Sequence, residues 1–153
     1  MGIYARYKRS PEGFRALVEL LEATPIAKRK LMIERGMDED PEYTQHALSF
    51  CFSFEDITQL QDLELAEVLS RASGRLVGLA LSSVAEPLPE ELISRFIRNA
   101  PPAIVADMRE ILEGAPPKPA EIGGARLKLI QLARQAEKAG HIKTKVIPFK
   151  QPI

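Results

Sequence analysis

Apolar residues recur at spacings of three and four along nearly the whole chain, and strict alternation never persists beyond a few residues. Only a helix buries a single face at that period, so the chain is constrained to an all-α fold. Proline then limits how long each helix can be. Its ring removes a backbone donor and clashes with the preceding turn, so the twelve prolines divide the helical pattern into short pieces. Ser10-Pro11-Glu12 reads as a cap followed by proline at the first helical position, leading into Phe14, Leu17, Val18 and Leu21 on one face. Thr24-Pro25 repeats the device, opening a helix from Ile26 to Arg35 that Gly36 stops. Asp40-Pro41 opens a third. Three short amphipathic segments thus fill residues 11–50, the grammar of stacked helical repeats.

The second half reads as a helical bundle. Asp62 caps a helix through Leu63, Ala66, Val68 and Leu69, and Ser73-Gly74 opens a short apolar one to Leu81. Pro87-Leu88-Pro89 leads into a helix with Leu92, Ile93, Phe96 and Ile97 on its buried stripe, closed near Asn99 by Pro101-Pro102. A further helix spans Pro102 to Leu112. After the stiff Gly114–Pro119 loop the longest helix takes Ala120 to Ala139 and ends at Gly140. Residues 1–10 read as a basic lead-in or linker, and residues 143–153 as an extended tail in which Val146, Ile147 and Phe149 are apolar enough to dock.

Twenty-one bases against twenty-one acids leave no formal charge, which excludes a bulk polycation or an acidic solubilising tail. The charge is nevertheless striped. Residues 1–35 carry eight bases and four acids, residues 36–94 two and twelve, and residues 95–153 eleven and five. The basic C-terminal stripe, with Lys143, Lys145 and Lys150, offers a phosphate-driven contact, but no recognition-helix grammar accompanies it and no nucleic-acid partner is expected. No apolar run approaches the roughly 18 residues of a membrane span, so insertion is not expected and the chain reads as cytoplasmic.

Side chains suited to catalysis are sparse. His46 and His141 are far apart, neither with a Cys or carboxylate at ligand spacing, so no metal site is expected. Cys51 sits between two phenylalanines and reads as a buried, inert thiol. Glu55-Asp56, Glu90-Glu91 and Asp38/Asp40 suit the first turns of helices, where a carboxylate complements the dipole. Gly123-Gly124 lies inside a helix rather than between strand and helix, so it reads as a close-packing device and not a phosphate cradle. The expectation is a protein that is not an enzyme and takes no cofactor.

Three stretches in order, Asp40-Pro41-Glu42, Cys51-Phe52-Ser53-Phe54-Glu55-Asp56-Ile57 and Leu63-Glu64-Leu65-Ala66-Glu67-Val68-Leu69, resemble the flagellar motor switch protein FliG family. There an M-F-x-F-E-D/N-L/I junction precedes the C-terminal domain; here its first position is Cys51. Arg95-Phe96-Ile97-Arg98-Asn99, the Ala115-Pro116-Pro117-Lys118 loop, and Leu127 to Arg134 followed by Gly140 are similar to that domain's last helical segments. The resemblance covers roughly residues 11–142. It implies an armadillo-like helical unit over residues 11–50, a hinge at Cys51, Phe52, Ser53 and Phe54, and a compact C-terminal bundle over residues 55–142. Phe52 and Phe54 would be apolar anchors around a rotatable Ser53. Phe52→Ala is then expected to cost about 3–5 kcal/mol, and Ser53→Ala to be nearly neutral.

The resemblance also implies a job. In that family charged residues on an exposed helix meet oppositely charged stator residues. The acidic position falls on Glu110 and a basic one on Lys118, while two other basic positions fall on the uncharged Ser82 and Ala103. Arg109, Asp107 and Arg98 are candidate substitute charges on neighbouring turns. The expected partners are flagellar rotor or stator components, with self-association through the helical units, in the cytoplasm or peripherally at the inner membrane. The family's membrane-ring segment and its E-H-P-Q motif have no counterpart in this sequence, so a piece of a longer protein and a stand-alone relative both fit. A divergent adaptor without torque is the alternative.

Overall fold

The computed structural model describes residues 3–83 and 85–148, and no strand occurs among them. The chain divides into two compact units, one of residues 1–52 with 143–153 and one of residues 53–142.

The first unit holds α1 (Ile3–Arg9), α2 (Gly13–Ala23), α3 (Ile26–Glu39) and α4 (Pro41–Phe50). Phe14, Leu17, Val18 and Leu21 of α2 are buried against Tyr43 and Ala47 of α4, with Tyr4, Cys51 and Ile147 in the same cluster. Phe14 is the aromatic centre, its ring 5.7 Å from Tyr43, 5.0 Å from His46 and 5.5 Å from Phe50 between centroids. These are distances at which tilted and edge-on rings attract.

Residues 3–9 are a helix, not the linker expected from their basic composition. Tyr4 is buried and its hydroxyl donates to the Met32 carbonyl at 2.5 Å. Burial, then the Glu39 carboxylate, push that hydroxyl's pKa up, so it stays a donor. The Glu39 carboxylate accepts from the Tyr4 and Ala5 N–H groups at 3.3 Å each, an anion at a helix N-terminus. Lys8 reaches Asp40 at 2.9 Å. That bond and the Tyr43 N–H hold the Asp40 carboxyl below its usual range.

Gly36 is likewise not a stop. Helix α3 runs through it to Glu39, and an added β-carbon there would lie 2.5 Å from both the Tyr4 ring and Thr44 Oγ1. Glycine at this position lets α1 and α4 approach α3. Thr24 also changes role: it ends α2, its hydroxyl donating back to Leu20 O at 2.6 Å. Helix α2 begins at Gly13 without a side-chain cap, and the Ser10 carbonyl accepts from the Gly13 N–H. Asp40 does cap α4, accepting from Tyr43 N at 3.2 Å, whereas Asp38 sits in the last turn of α3. Lys143 to Pro148 is non-helical and docks Ile147 into this core. Phe149, Lys150 and Pro152 lie outside the described residues.

The second unit holds α5 (Phe54–Thr58), α6 (Asp62–Leu69), α7 (Gly74–Ala80), α8 (Glu90–Asn99), α9 (Pro102–Glu113) and α10 (Pro119–Lys138). Helix α10 packs on α5, α6 and α7, α9 lies on α7, and α8 on α6. Buried Ile122, Ala125, Leu129, Ile130, Ala133 and Ala136 form the inner face of α10. The helix closes as expected. Gly140 takes φ +87°, its N–H bonding Glu137 O while the His141 N–H bonds Ala136 O, the paired geometry of a left-handed helix end.

Three expectations change in this unit. Asp62 is the first helical residue of α6, not its cap; its carboxylate accepts from Arg95 Nε at 3.0 Å and Asn99 Nδ2 at 3.3 Å. Leu63 beside it is exposed rather than core. Arg95 also donates to the carbonyls of Thr58 and Leu60, tying the α5–α6 turn to α8. The close-packing reading of Gly123-Gly124 fails as well, since a β-carbon at either position would meet nothing within 4 Å.

Candidate functional site

The sequence marks two candidate regions, the 51–54 segment and a set of surface charges. In the first, the Phe52 ring is fully buried and its N–H donates to Glu22 Oε2 at 2.7 Å. Glu22 is itself buried. Cys51 is buried as expected, its Sγ 3.5 Å from Ala47 O, and its carbonyl accepts from Lys145 Nζ at 2.8 Å. The division between the two units falls at the Phe52–Ser53 peptide bond.

Ser53 belongs to the second unit and is the N-cap of α5. Its hydroxyl accepts from the Asp56 N–H at 3.1 Å, and the Asp56 carboxylate accepts from the Ser53 N–H at 2.8 Å. This reciprocal box satisfies two donors that a helix start leaves orphaned. It overturns the expectation that Ser53→Ala is neutral. The substitution is expected to destabilise the second unit by about 1 kcal/mol, seen as an earlier urea midpoint at unchanged slope. A midpoint identical to wild type would show that the box contributes nothing. Phe54, one residue on, is half-buried.

The surface charges divide by accessibility. Asp107, Arg109 and Glu110 project from α9, all exposed, and among the described residues no hydrogen bond or ion pair engages their side chains. Lys118 is exposed at the start of α10, where its N–H donates to Glu121 Oε1 at 3.2 Å. Arg98 is exposed on α8 and lies 3.7 Å from Glu91 of the same helix. Ala103, Asp107 and Glu110 follow one another at helical spacing on one face of α9. Ser82 is different. It is buried, and its hydroxyl donates to Gly78 O at 2.9 Å, so this position presents no charge to a partner.

Family membership is settled by the span of one match. The family model of the FliG C-terminal domain matches residues 37–144. The chain belongs to that family. It is similar to the flagellar motor switch protein FliG of Borreliella burgdorferi, 28% identical over 133 residues, covering 87% of this chain and 38% of that protein. It is also similar to that of Aquifex aeolicus, 26% identical over 131 residues, covering 86% and 39%. The FliG-family chain therefore spans about two fifths of the length of these relatives. Its fold is shared with the crystal structure of FliG residues 86–343 from H. pylori, at a TM-score of 0.61 and 23% identity over 86% of this chain and 60% of that one. Full-length FliG from Aquifex aeolicus aligns at a TM-score of 0.53 and 25% identity, over 91% and 42%.

Within this FliG-family domain one charged residue escaped the sequence reading. Arg126 sits among apolar neighbours on α10, yet its Nε donates to Ala80 O at 2.9 Å and its Nη2 to Ser82 O at 3.0 Å. Its guanidinium lies 4.4 Å from the Phe54 ring centroid. Burial lowers its pKa. Helical periodicity could place Arg126 near the core boundary but could not show that the carbonyls ending α7 converge on it. No group of three or more His, Cys, Asp or Glu among the described residues could hold a metal, and none of the described helices is long and apolar enough to cross a membrane.

Proposed function

We propose that this chain is a non-enzymatic protein-interaction module of the bacterial flagellar motor, serving torque generation or switching at the cytoplasmic face of the basal body. The reading rests on membership of the FliG C-terminal domain family together with the charges of α9. Asp107, Arg109 and Glu110 are exposed and, among the described residues, uncommitted. Lys118 and Arg98 add exposed positive charge on the two adjoining elements. Exposed charge pairs contribute about 0–1 kcal/mol each and are screened by salt. They suit contacts that form and break repeatedly, where long-range attraction speeds encounter more than it tightens binding.

The hinge belongs to the same proposal. Phe52 is anchored in the first unit by Glu22, and Ser53 in the second by its capping box. The few backbone torsions between those anchors are where a change of angle costs least packing. Self-association through the helical units completes the reading.

The test is motility in a strain whose swimming depends on this chain, carrying Glu110→Lys with Lys118→Glu. Both side chains are exposed, so stability should stay within about 0.5 kcal/mol of wild type. The expected result is impaired swimming with the chain folded, and capture of rotor or stator proteins from a lysate that weakens with salt. Normal swimming by the folded double variant would sink the torque reading.

A further inference from the structure

Beside Arg126 the second unit has an open notch of about 230 Å³, lined by Ser82, Ser83, Pro119, Ile122, Gly123 and Arg126. Three observations give it a chemistry. The guanidinium is held in place on three sides, by the Ala80 and Ser82 carbonyls and by the Phe54 ring. Its position is therefore fixed before anything binds, and little rotamer entropy remains to be lost. Its charge is also uncompensated. Among the described residues no carboxylate pairs with Arg126, and Glu121, the acid nearest to it in sequence, is taken by Arg75 at 3.7 Å and by the Lys118 N–H. Finally, the wall is bare at Gly123, which lines the notch and leaves open space where a β-carbon would stand, although glycine inside a helix costs about 0.5–1 kcal/mol relative to alanine.

A partly buried cation surrounded only by neutral dipoles is desolvated without an opposite charge to offset the loss, so a carboxylate brought to it gains more than one brought to an exposed lysine. The volume is below the 300–1,000 Å³ typical of cofactor and drug-sized pockets. It accommodates a single short side chain, and the exposed glycine backbone beside it lets the main chain carrying that side chain come close. We infer that the Arg126 notch receives an aspartate or glutamate side chain from a protein partner. This is independent of the α9 charges, which lie on another helix and stand free in solvent.

The test separates the notch from the fold. Arg126→Ala also breaks the clamp on α7, so the informative variant is Gly123→Glu, which sets a carboxylate one turn before Arg126 in open space and fills the notch from within. The probe is a blocked peptide, acetyl-Gly-Glu-Gly-Glu-Gly-amide, titrated into the full chain while the Arg126 Nε–H and the amides of Ser82, Ser83 and Gly123 are followed by NMR. The matched glutamine peptide and acetate serve as comparisons. The expected result is a saturable shift centred on those groups with the glutamate peptide, at least about tenfold weaker with the glutamine peptide, and lost in a folded Gly123→Glu variant. Equal shifts from both peptides, acetate acting as strongly as the glutamate peptide, or undiminished binding to Gly123→Glu would each overturn the inference.

Discussion

Phe52→Ala should lower the stability of the chain by about 3–5 kcal/mol, the range for deleting a fully buried aromatic ring. Two features put it at the upper end. The ring has no exposed surface, so its removal leaves a cavity that water does not reach directly. The backbone at the same residue is held by the Glu22 carboxylate at 2.7 Å and cannot collapse freely into the space. Lys145, donating to the Cys51 carbonyl at 2.8 Å, restrains the preceding peptide as well. Urea unfolding followed by circular dichroism is the measurement, with Phe52→Leu as companion. Leucine keeps much of the apolar volume and should recover more than half of the loss. A midpoint for Phe52→Ala within error of wild type would remove the anchor on which the hinge reading depends. A large loss without recovery by leucine would show instead that the flat ring itself is required.

The helix boundaries that proved readable are those whose chemistry is local. Asp40-Pro41 opens α4 with the side-chain cap expected of it, Ser73 accepts from the Leu76 N–H at the start of α7, and Gly140 closes α10 in the left-handed region. Each depends on residues within one turn. Thr24 shows the limit of the same grammar. A threonine before proline can cap the next helix or bond back to the helix behind, and the Leu20 carbonyl at 2.6 Å won. Glycine is ambiguous for a different reason. Gly36, Gly123 and Gly140 look alike in sequence, yet one admits a tyrosine ring, one faces open space and one turns the chain. Only the neighbours brought in by tertiary packing tell them apart.

The N-terminal segment was misread because its burial rests on few residues. Tyr4 is the deeply buried side chain in a run dominated by Arg6, Lys8 and Arg9, and its partners Met32, Gly36 and Glu39 are some thirty residues away. The α9 charges were named through the family resemblance; Asp107 and Glu110 share one face of the helix, Arg109 lies on another, and all three are exposed. The roles of Ser82 and Arg126 were not legible. That Ser82 is buried, and that its carbonyl instead binds an arginine 44 residues later, depends on how α7 and α10 pack.

The same dependence on packing gives glycine substitutions opposite signs in this unit. An added β-carbon at Gly74 would lie 2.3 Å from Ile104 O and 2.7 Å from the Asp107 β-carbon; at Gly78 it would lie 2.8 Å from the Ile111 β-carbon. The two glycines are one turn apart on α7, so together they form the trough in which α9 rests. Ile104 O is backbone and can yield only if α9 moves. Gly74→Ala is therefore expected to cost about 2–3 kcal/mol, as overpacking does, despite alanine's better helix propensity. Gly124→Ala, in open space on α10, should stabilise by about 0.5–1 kcal/mol for that same propensity. Thermal unfolding of the two variants should move the transition in opposite directions. If Gly74→Ala is as stable as wild type, α9 does not approach α7 as closely as described. If it is destabilised, the proposed motor role further predicts impaired swimming where the chain remains folded, because the helix that must shift carries Asp107, Arg109 and Glu110.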